Sequence, residues 1–348
     1  MINQPKIFIV LLNWNGLRYT PACLTSIGAI DYSNYEVIVV DNASTDGSSK
    51  VIKKLFPEIV LIENHTNLGY AGGNNVGIRY ALKSGADYIF ILNNDTLVNR
   101  EILSVLVAAA LNEKNAGSLG CKIVYYEDSS RLQHAGGIIT DKSIMHAFNR
   151  GEREQDCGQY DTIAQVDYIT GAAIFLSRST IEKVGFFDER FFLYWEDTDF
   201  GLRIKNAGLR NIYVPAARVR HKVAASTDNA AHPGIYYYLS RNRLLFAKKH
   251  GFVKKRIPKE LIMWIMHDIK KLFTHQYYLR ITAIVLIIRG AVDSVRGRFG
   301  SGPGWFDTPK EEFLEYRLKH YYKVRIKKYL RSLRDFFRNI RCRTHSRP

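Results

Sequence analysis

Residues 36–47 read Glu36-Val37-Ile38-Val39-Val40-Asp41-Asn42-Ala43-Ser44-Thr45-Asp46-Gly47. A continuous β-branched run stops abruptly at a polar loop. Such a run, bounded by turn residues, reads as a short strand buried on both faces. The loop that leaves it is rich in Asp, Asn, Ser and Gly, which stabilise turns and open helices. The same unit recurs along the chain. Strands are expected at residues 6–12, 36–40, 59–63, 88–92 and 118–124. Helices are expected at 21–30 (Thr20 as N-cap, Pro21 in the first turn), 47–56, 73–83 and 100–112. This alternation predicts βαβ units and an α/β fold with a mostly parallel sheet flanked by helices. Right-handed crossovers then put the strand C-termini, and any ligand, along one edge.

Three polar loops leave those C-termini: Asn13-Trp14-Asn15-Gly16, the loop from Asp41 to Gly47, and Asn93-Asn94-Asp95. A second acidic island, Glu196-Asp197-Thr198-Asp199, follows the aromatic run Phe191-Phe192-Leu193-Tyr194-Trp195. Carboxylates at two places on a sheet rim suit a site with hard oxygen ligands for a divalent metal in one and a free general base in the other. Each piece also has a plain structural reading. Residues 41–47 can be only a turn and helix cap. Residues 67–77 (NLGYAGGNNVG) can line a nucleotide or simply lead into a helix, and Asp95 alone can be structural. The acids at 196–199 can cap a helix N-terminus, where negative charge is favoured. Aromatic side chains ahead of them suit stacking on a sugar face, with some in the core. The ordered series on successive strands favours an enzyme.

Composition frames this reading. At 348 residues with 46% hydrophobic side chains, the chain can build one large α/β domain plus an appendage. Cys23, Cys121, Cys157 and Cys342 have no metal-ligand spacing and suggest a reducing compartment. No signal peptide is expected, because Lys6 and Asn13 interrupt the early apolar run. No uncharged apolar stretch of about 18 residues is present for a transmembrane helix. Charge is segregated: from Arg241 onward there are 27 Lys and Arg against 8 Asp and Glu, while the first 240 residues are close to neutral.

Together the motifs resemble family 2 inverting glycosyltransferases, in the branch of bacterial rhamnosyltransferases and related cell-surface polysaccharide enzymes. The resemblance is carried by Val10-Leu11-Leu12-Asn13-Trp14-Asn15, the run from Val39 to Ser48, Asn67-Leu68-Gly69-Tyr70-Ala71-Gly72-Gly73-Asn74-Asn75 and Leu92-Asn93-Asn94-Asp95-Thr96. It continues through Thr170-Gly171-Ala172, Gly185-Phe186-Phe187-Asp188-Glu189, residues 191–200, and Val214-Pro215-Ala216 leading to His221. It covers about residues 5–250 and implies the Rossmann-like nucleotide-diphospho-sugar transferase fold.

The resemblance also implies roles. Asp41 would contact the base or ribose of a nucleotide-sugar donor, with Asn13 and Asn15 beside it. Asn67, Gly69 and Asn74 would line the donor, as would Asn93 and Asn94. Asp95 would hold Mg²⁺ or Mn²⁺ with the donor diphosphate, although Asn93 replaces the first acid of the family's metal motif. His221 would be a further ligand, its alternative being a surface histidine among Arg218, Arg220 and Lys222. Asp197 would be the general base, Glu196 would bind acceptor or orient the loop, and Asp199 would cap or hold the helix at residues 200–207. Gly171, Ala172, Trp195 and Arg241 would contact substrate. A processive synthase is disfavoured, because Ser240-Arg241-Asn242-Arg243 stands where those enzymes carry Gln-x-x-Arg-Trp. The donor implied first is dTDP-rhamnose and second a UDP-hexose, with a lipid-linked saccharide as acceptor. A non-catalytic nucleotide-sugar or glycan-binding protein is the rival.

Residues 1–250 are therefore expected to form the catalytic domain, with a nucleotide-sugar half at 1–115 and an acceptor half at 116–250. Residues 251–348 are expected to form a basic, mainly helical extension. Apolar residues recur at near-helical spacing over residues 310–340 among many Lys and Arg, and a further apolar segment runs over 261–273. That pattern reads as an amphipathic helix on an anionic membrane surface, where each well-placed basic residue contributes about 1 kcal/mol. The tail has no recognised nucleic-acid module, so nucleic acid is not an expected partner. Packing on the body or on a second subunit of a homo-oligomer is the other reading. The expected location is cytoplasmic, peripheral on the inner face of a bacterial membrane.

Overall fold

The computed structural model describes residues 4–141, 146–222, 234–252 and 277–302. The N-terminal half alternates β1 (Ile7–Asn13), α1 (Thr20–Gly28), β2 (Tyr35–Asp41), α2 (Ser48–Leu55), β3 (Val60–Glu63), α3 (Gly69–Lys83) and β4 (Tyr88–Asn93). Next come β5 (Thr96–Val98), α4 (Ile102–Asn112), β6 (Ala116–Tyr125), β7 (Leu132–His134), β8 (Gly137–Asp141), β9 (His146–Asn149), β10 (Ala164–Val166) and β11 (Ala173–Ser177). The remaining elements are α5 (Arg178–Val184), α6 (Glu196–Asn206), β12 (Arg210–His221), α7 (Gly234–Lys249) and α8 (Tyr277–Val295).

Among the described residues the main sheet runs β10-β12-β6-β11-β4-β1-β2-β3, with β5 on β12 and β7 on β6. The four strands β4, β1, β2 and β3 are mutually parallel, as the alternation predicts. The sheet as a whole is mixed, because β11 enters antiparallel between β4 and β6. No helix separates β6 from β11 among the described residues, and a parallel neighbour needs a long crossover, usually helical. Successive residues of β1 feed opposite layers: Ile7, Ile9 and Leu11 pack on one side, Phe8 and Val10 on the other. All five are fully buried, and burial of each such side chain contributes about 1.5–3 kcal/mol. Helix α3 lies flush on this sheet because Gly77 has no Cβ, which would fall 2.4 Å from Val10 Cγ1.

Several boundaries differ from the sequence reading. Helix α3 begins at Gly69 rather than 73, so the Gly- and Asn-rich stretch is mostly helical. Thr20, expected as an N-cap, is inside α1 behind Tyr19. The compact body runs from Met1 to Ser301, past the boundary expected at residue 250, and α8 packs along α7. The apolar residues that look like part of an appendage thus complete the body. The segments at 261–273 and 310–340 lie outside the described residues. Among the described residues, no helix is long and apolar enough to cross a membrane.

Candidate active site

Strand register brings the first two loops together. Asn13 pairs directly with Asp41, and Leu12 with Asn93, at the C-terminal ends of β1, β2 and β4. Asn13 is fully buried and acts as a hub. Its Nδ2 donates to Asp41 Oδ1 (2.7 Å), Ser48 Oγ (2.8 Å) and Ser44 Oγ (3.2 Å). Its Oδ1 accepts from Thr20 Oγ1 at 2.7 Å and Asn94 Nδ2 at 3.2 Å. Asp41, also buried, accepts the Ser44 N–H through Oδ2. Asn15 is exposed and accepts the Thr45 N–H at 2.8 Å. The Asn13 side chain is thus engaged within the loop, while Asn15 and residues 43–46 present accessible surface. Asn67 is likewise engaged inward, accepting from Asn42 Nδ2 and the Gly69 N–H, both at 2.8 Å. Asn74 is buried, and its Oδ1 has no hydrogen-bond partner among the described residues.

The third loop is a tight turn between β4 and β5. Because β5 pairs antiparallel with β12, His221 lies opposite Thr96 and next to Asp95. Asp95 Oδ1 is 3.2 Å from His221 Nε2, with both side chains largely buried. His221 Nδ1 meets Gln133 Oε1 at 2.9 Å, an oxygen that can only accept, so Nδ1 carries the hydrogen. In the neutral ring Nε2 then presents its lone pair, and Asn93 Nδ2 approaches it at 3.3 Å. Consistently, Asp95 Oδ1 is buried and receives no hydrogen bond. An orphaned carboxylate oxygen beside an imidazole lone pair offers two donors of the kind a divalent cation takes, and among the described residues no third His, Cys, Asp or Glu joins them. The pair is tuned from behind by Gln133, as metal-binding histidines usually are. Asn94 instead turns inward, donating to Thr20 Oγ1 at 2.8 Å. A cavity of about 200 Å³ borders Asp95 and is lined by Arg18, Tyr19, Tyr126 and Lys222 among others.

Residues 170–172 join the two acidic islands. Ala172 O accepts the Asn93 N–H at 3.0 Å, and the adjacent Gly171 N–H donates to Asp197 Oδ2 at 3.0 Å. Gly171 and Ala172 are buried, so they contribute backbone rather than side-chain contacts. Glu196 and Asp197 open α6, and Asp197 Oδ1 also accepts the Thr198 N–H at 2.6 Å. Burial pushes the Asp197 carboxyl up, against the lowering effect of the Gly171 and Thr198 N–H groups. Glu196 is pushed well above the carboxylate range by burial and by the Asp197 charge. Its Oε2 is buried with no hydrogen-bond partner. Of the two roles expected of Asp199, capping is ruled out because α6 already starts at Glu196, whereas holding the helix agrees with its bond to Arg203. It is buried and also bonded to Lys249 and His250.

The aromatic run ahead of α6 is mostly core. Phe191 and Phe192 are buried, and Phe192 stacks on Tyr238 with ring centroids 5.4 Å apart. Trp195 is half-buried and leans on Phe246. Phe192, Tyr194 and Trp195 all have left-handed backbone, φ 64°, 68° and 73°, each costing about 1–2 kcal/mol for a non-glycine residue. Arg241 is fully buried. Its guanidinium bonds the backbone carbonyls of Arg190, Phe191 and Gly300. Sequence reasoning missed Gln133, Tyr70 and Asn242. Gln133 stands in no motif. Tyr70, whose hydroxyl donates to Gly171 O, and Asn242, next to Arg241, were within quoted segments but carried no charge to flag them.

Comparison with known proteins bears on the family and the fold. The model of the family described as "Glycosyl transferase family 2" matches residues 8–183. An N-acetylglucosaminyl-diphospho-decaprenol L-rhamnosyltransferase of Mycobacterium tuberculosis is 28% identical over 235 residues, covering 60% of this chain and 74% of the relative. A dTDP-rhamnosyl transferase RfbF of Shigella flexneri is 25% identical over 314 residues, covering 85% and 98%. Among solved structures, the mannosyltransferase PcManGT of Pyrobaculum calidifontis, in complex with GDP-Man and Mn²⁺, superposes with a TM-score of 0.54 at 16% identity. It covers 85% of this chain and 89% of that one, a likeness of fold.

Proposed function

The chain belongs to glycosyl transferase family 2, and we propose that it is a metal-dependent inverting rhamnosyltransferase acting on a lipid-linked saccharide. One observation carries this reading. The Asp95–His221 pair is tied through Asn93, Ala172 and Gly171 to the half-buried carboxylate of Asp197. Two relatives whose names specify rhamnosyl transfer support the sugar, and one of these names specifies a diphospho-decaprenol-linked acceptor.

In this reading Asn15 and the loop at 43–46 receive the nucleotide. Asp95 and His221 would hold Mg²⁺ or Mn²⁺, supplying part of its ligand set. When bound, the cation neutralises charge developing on the leaving diphosphate. Asp197 takes the acceptor hydroxyl proton as that oxygen attacks the anomeric carbon opposite the leaving group. The new C–O bond forms as the bond to diphosphate breaks, which inverts the centre. Burial and the Asp197 charge raise the Glu196 carboxyl and favour its neutral form, while the Gly171 and Thr198 N–H groups favour the ionised form of Asp197. A carboxylate with raised proton affinity is a better base near neutral pH than an exposed aspartate. The basic segment from residue 251 onward would draw the enzyme to anionic lipid on the inner face of the membrane, where a lipid-linked acceptor resides.

The test is binding and turnover of a nucleotide-sugar panel with and without Mn²⁺, in wild type, Asp95→Ala and Asp197→Asn. Metal-dependent binding of dTDP-rhamnose, lost in Asp95→Ala, together with binding but no turnover in Asp197→Asn, is the expected result. Normal turnover by Asp197→Asn, or binding of no nucleotide sugar, overturns the reading.

A further inference from the structure

Residues 190–195 carry Glu196 and Asp197 into the site, and their backbone is held by groups from elsewhere in the fold. Three of these six residues, Phe192, Tyr194 and Trp195, are left-handed without being glycine. Such a segment persists only where its surroundings over-determine it. Here five consecutive carbonyl oxygens, from Arg190 to Tyr194, each accept a hydrogen bond from beyond the segment. Asn242 Nδ2 donates to Phe191 O (2.7 Å), Leu193 O (2.8 Å) and Tyr194 O (2.9 Å), so its two hydrogens serve three acceptors. Arg241 Nη2 donates to Phe191 O at 2.8 Å and Arg190 O at 3.3 Å, and Nη1 to Gly300 O at 2.7 Å. Arg241 Nε donates to Asn242 Oδ1 at 2.9 Å, which fixes the amide's orientation. The remaining carbonyl, Phe192 O, accepts the Ala71 N–H at 3.2 Å, close against Gly69.

This is a large commitment of buried polar groups from α7. Both side chains are fully buried, and Arg241 is flanked by the rings of Tyr237 and Tyr238 at 5.3 and 4.8 Å. A buried guanidinium is unfavourable unless its donors are satisfied. Two of the four carbonyls that the pair reaches within the segment, those of Leu193 and Tyr194, lie within four residues of Asp197. We propose that Arg241 and Asn242 are positioning residues for the reaction, a strap that fixes residues 190–195 so that Asp197 meets the Gly171 N–H and Glu196 stays buried. The proposal rests on the reading of Asp197 as the base.

Loosening the strap lets the left-handed residues relax and admits water to the acidic pair. The titratable groups that interact with Asp197 are Glu196 on α6, Tyr70 on α3 and Tyr168 before Gly171, all acidic or neutral. Hydration therefore lowers its proton affinity, since burial is what raises it.

The experiment uses the full chain with Asn242→Ala, the milder Asn242→Ser, Arg241→Lys and Asp197→Asn. Melting temperature, affinity for dTDP-rhamnose with Mn²⁺, kcat, KM and the pH profile of kcat are measured for each. Asn242→Ser supplies a folded variant should Asn242→Ala fail to accumulate. The strap predicts a fall in kcat of about 100-fold for Asn242→Ala, as for a misplaced catalytic group. Donor affinity should stay near wild type, and the acidic limb of kcat should move to lower pH. Arg241→Lys, which keeps charge but loses the fork, should fall between. A lower melting temperature with unchanged kcat and unchanged acidic limb in the Asn242 variants overturns the proposal, leaving a structural role only. Normal turnover by Asp197→Asn overturns the underlying reading of the base, independently of Asn242.

Discussion

Gln133 Oε1 accepts a hydrogen bond from His221 Nδ1 at 2.9 Å, which turns the opposite ring nitrogen toward Asp95. Gln133 lies on β7 at the edge of the sheet, behind this ring. Gln133→Ala frees the imidazole to rotate and to take the other tautomer. Loss of such an outer partner typically lowers metal affinity about 10–100-fold. Calorimetric titration of Mn²⁺ in the presence of a nucleoside diphosphate is the check. An unchanged affinity would show that Gln133 does not orient the ligand.

The Glu196–Asp197 pair makes opposite demands at high and low pH. Glu196 is raised by burial and by its neighbour's charge, so Glu196→Gln mimics its neutral form. Turnover should stay within a few-fold of wild type, and any loss of rate at high pH from Glu196 ionisation should disappear. The sign for stability follows the same way. A carboxyl whose folded value lies above its unfolded one contributes stability at low pH, lost as pH rises through the folded value. Glu196→Gln should therefore gain stability over wild type on the alkaline side and not the acid side. Urea melts across pH decide it, and a variant less stable than wild type at high pH would contradict the neutral assignment.

What was legible in the chain follows what is local. The runs ending at Asn13, Asp41 and Asn93 announce their strands, because burial on both faces demands unbroken apolar sequence and the polar stop is abrupt. Their meeting at one edge follows from parallel topology. The antiparallel entry of β11 was not legible, since Ala173–Ser177 is five residues long and its partners are about 55 and 85 residues away. Nor were the inward turns of Asn13, Asn94 and Arg241, because a polar residue in a motif carries no mark of which way it faces. The left-handed residues before α6 are aromatic, whereas the sequence signal for positive φ is glycine or asparagine.

Asn13 illustrates why a polar hub beneath a binding loop is hard to replace. It supplies both donors and its carbonyl to Asp41, Ser44, Ser48, Thr20 and Asn94. Asn13→Ala leaves buried polar partners unsatisfied, which costs about 1–3 kcal/mol. The loop at 43–46 should also lose its fixed shape, so nucleotide affinity should fall in step with stability. Asn13→Asp should be worse, because a carboxylate cannot donate to Asp41. Denaturant titration alongside nucleotide binding tests both, and a variant that lost neither would remove Asn13 from this role.

Asp199 lies beneath the acidic pair and answers to a different balance. Burial opposes its charge, but hydrogen bonds from His250 and Lys249 and the charge of Arg203 outweigh that and hold it below the usual aspartate range. Asp188, bonded to Arg190 and Lys249, is lowered by the same logic. Lysine 249 therefore ties the turn ahead of the aromatic run to α6 and α7 through two carboxylates. A carboxyl whose folded value is depressed contributes stability above its unfolded value, lost as pH falls through the folded one. Wild type should accordingly weaken in acid through these two groups. Asp199→Asn removes the counter-charge from three basic partners while its side chain is fully buried. Breaking a buried ion pair on one side costs about 3–5 kcal/mol. That loss should be present at neutral pH and shrink toward acid, where wild type loses the same interaction. Equal destabilisation at all pH values would mean that packing, not charge, sets the role of Asp199.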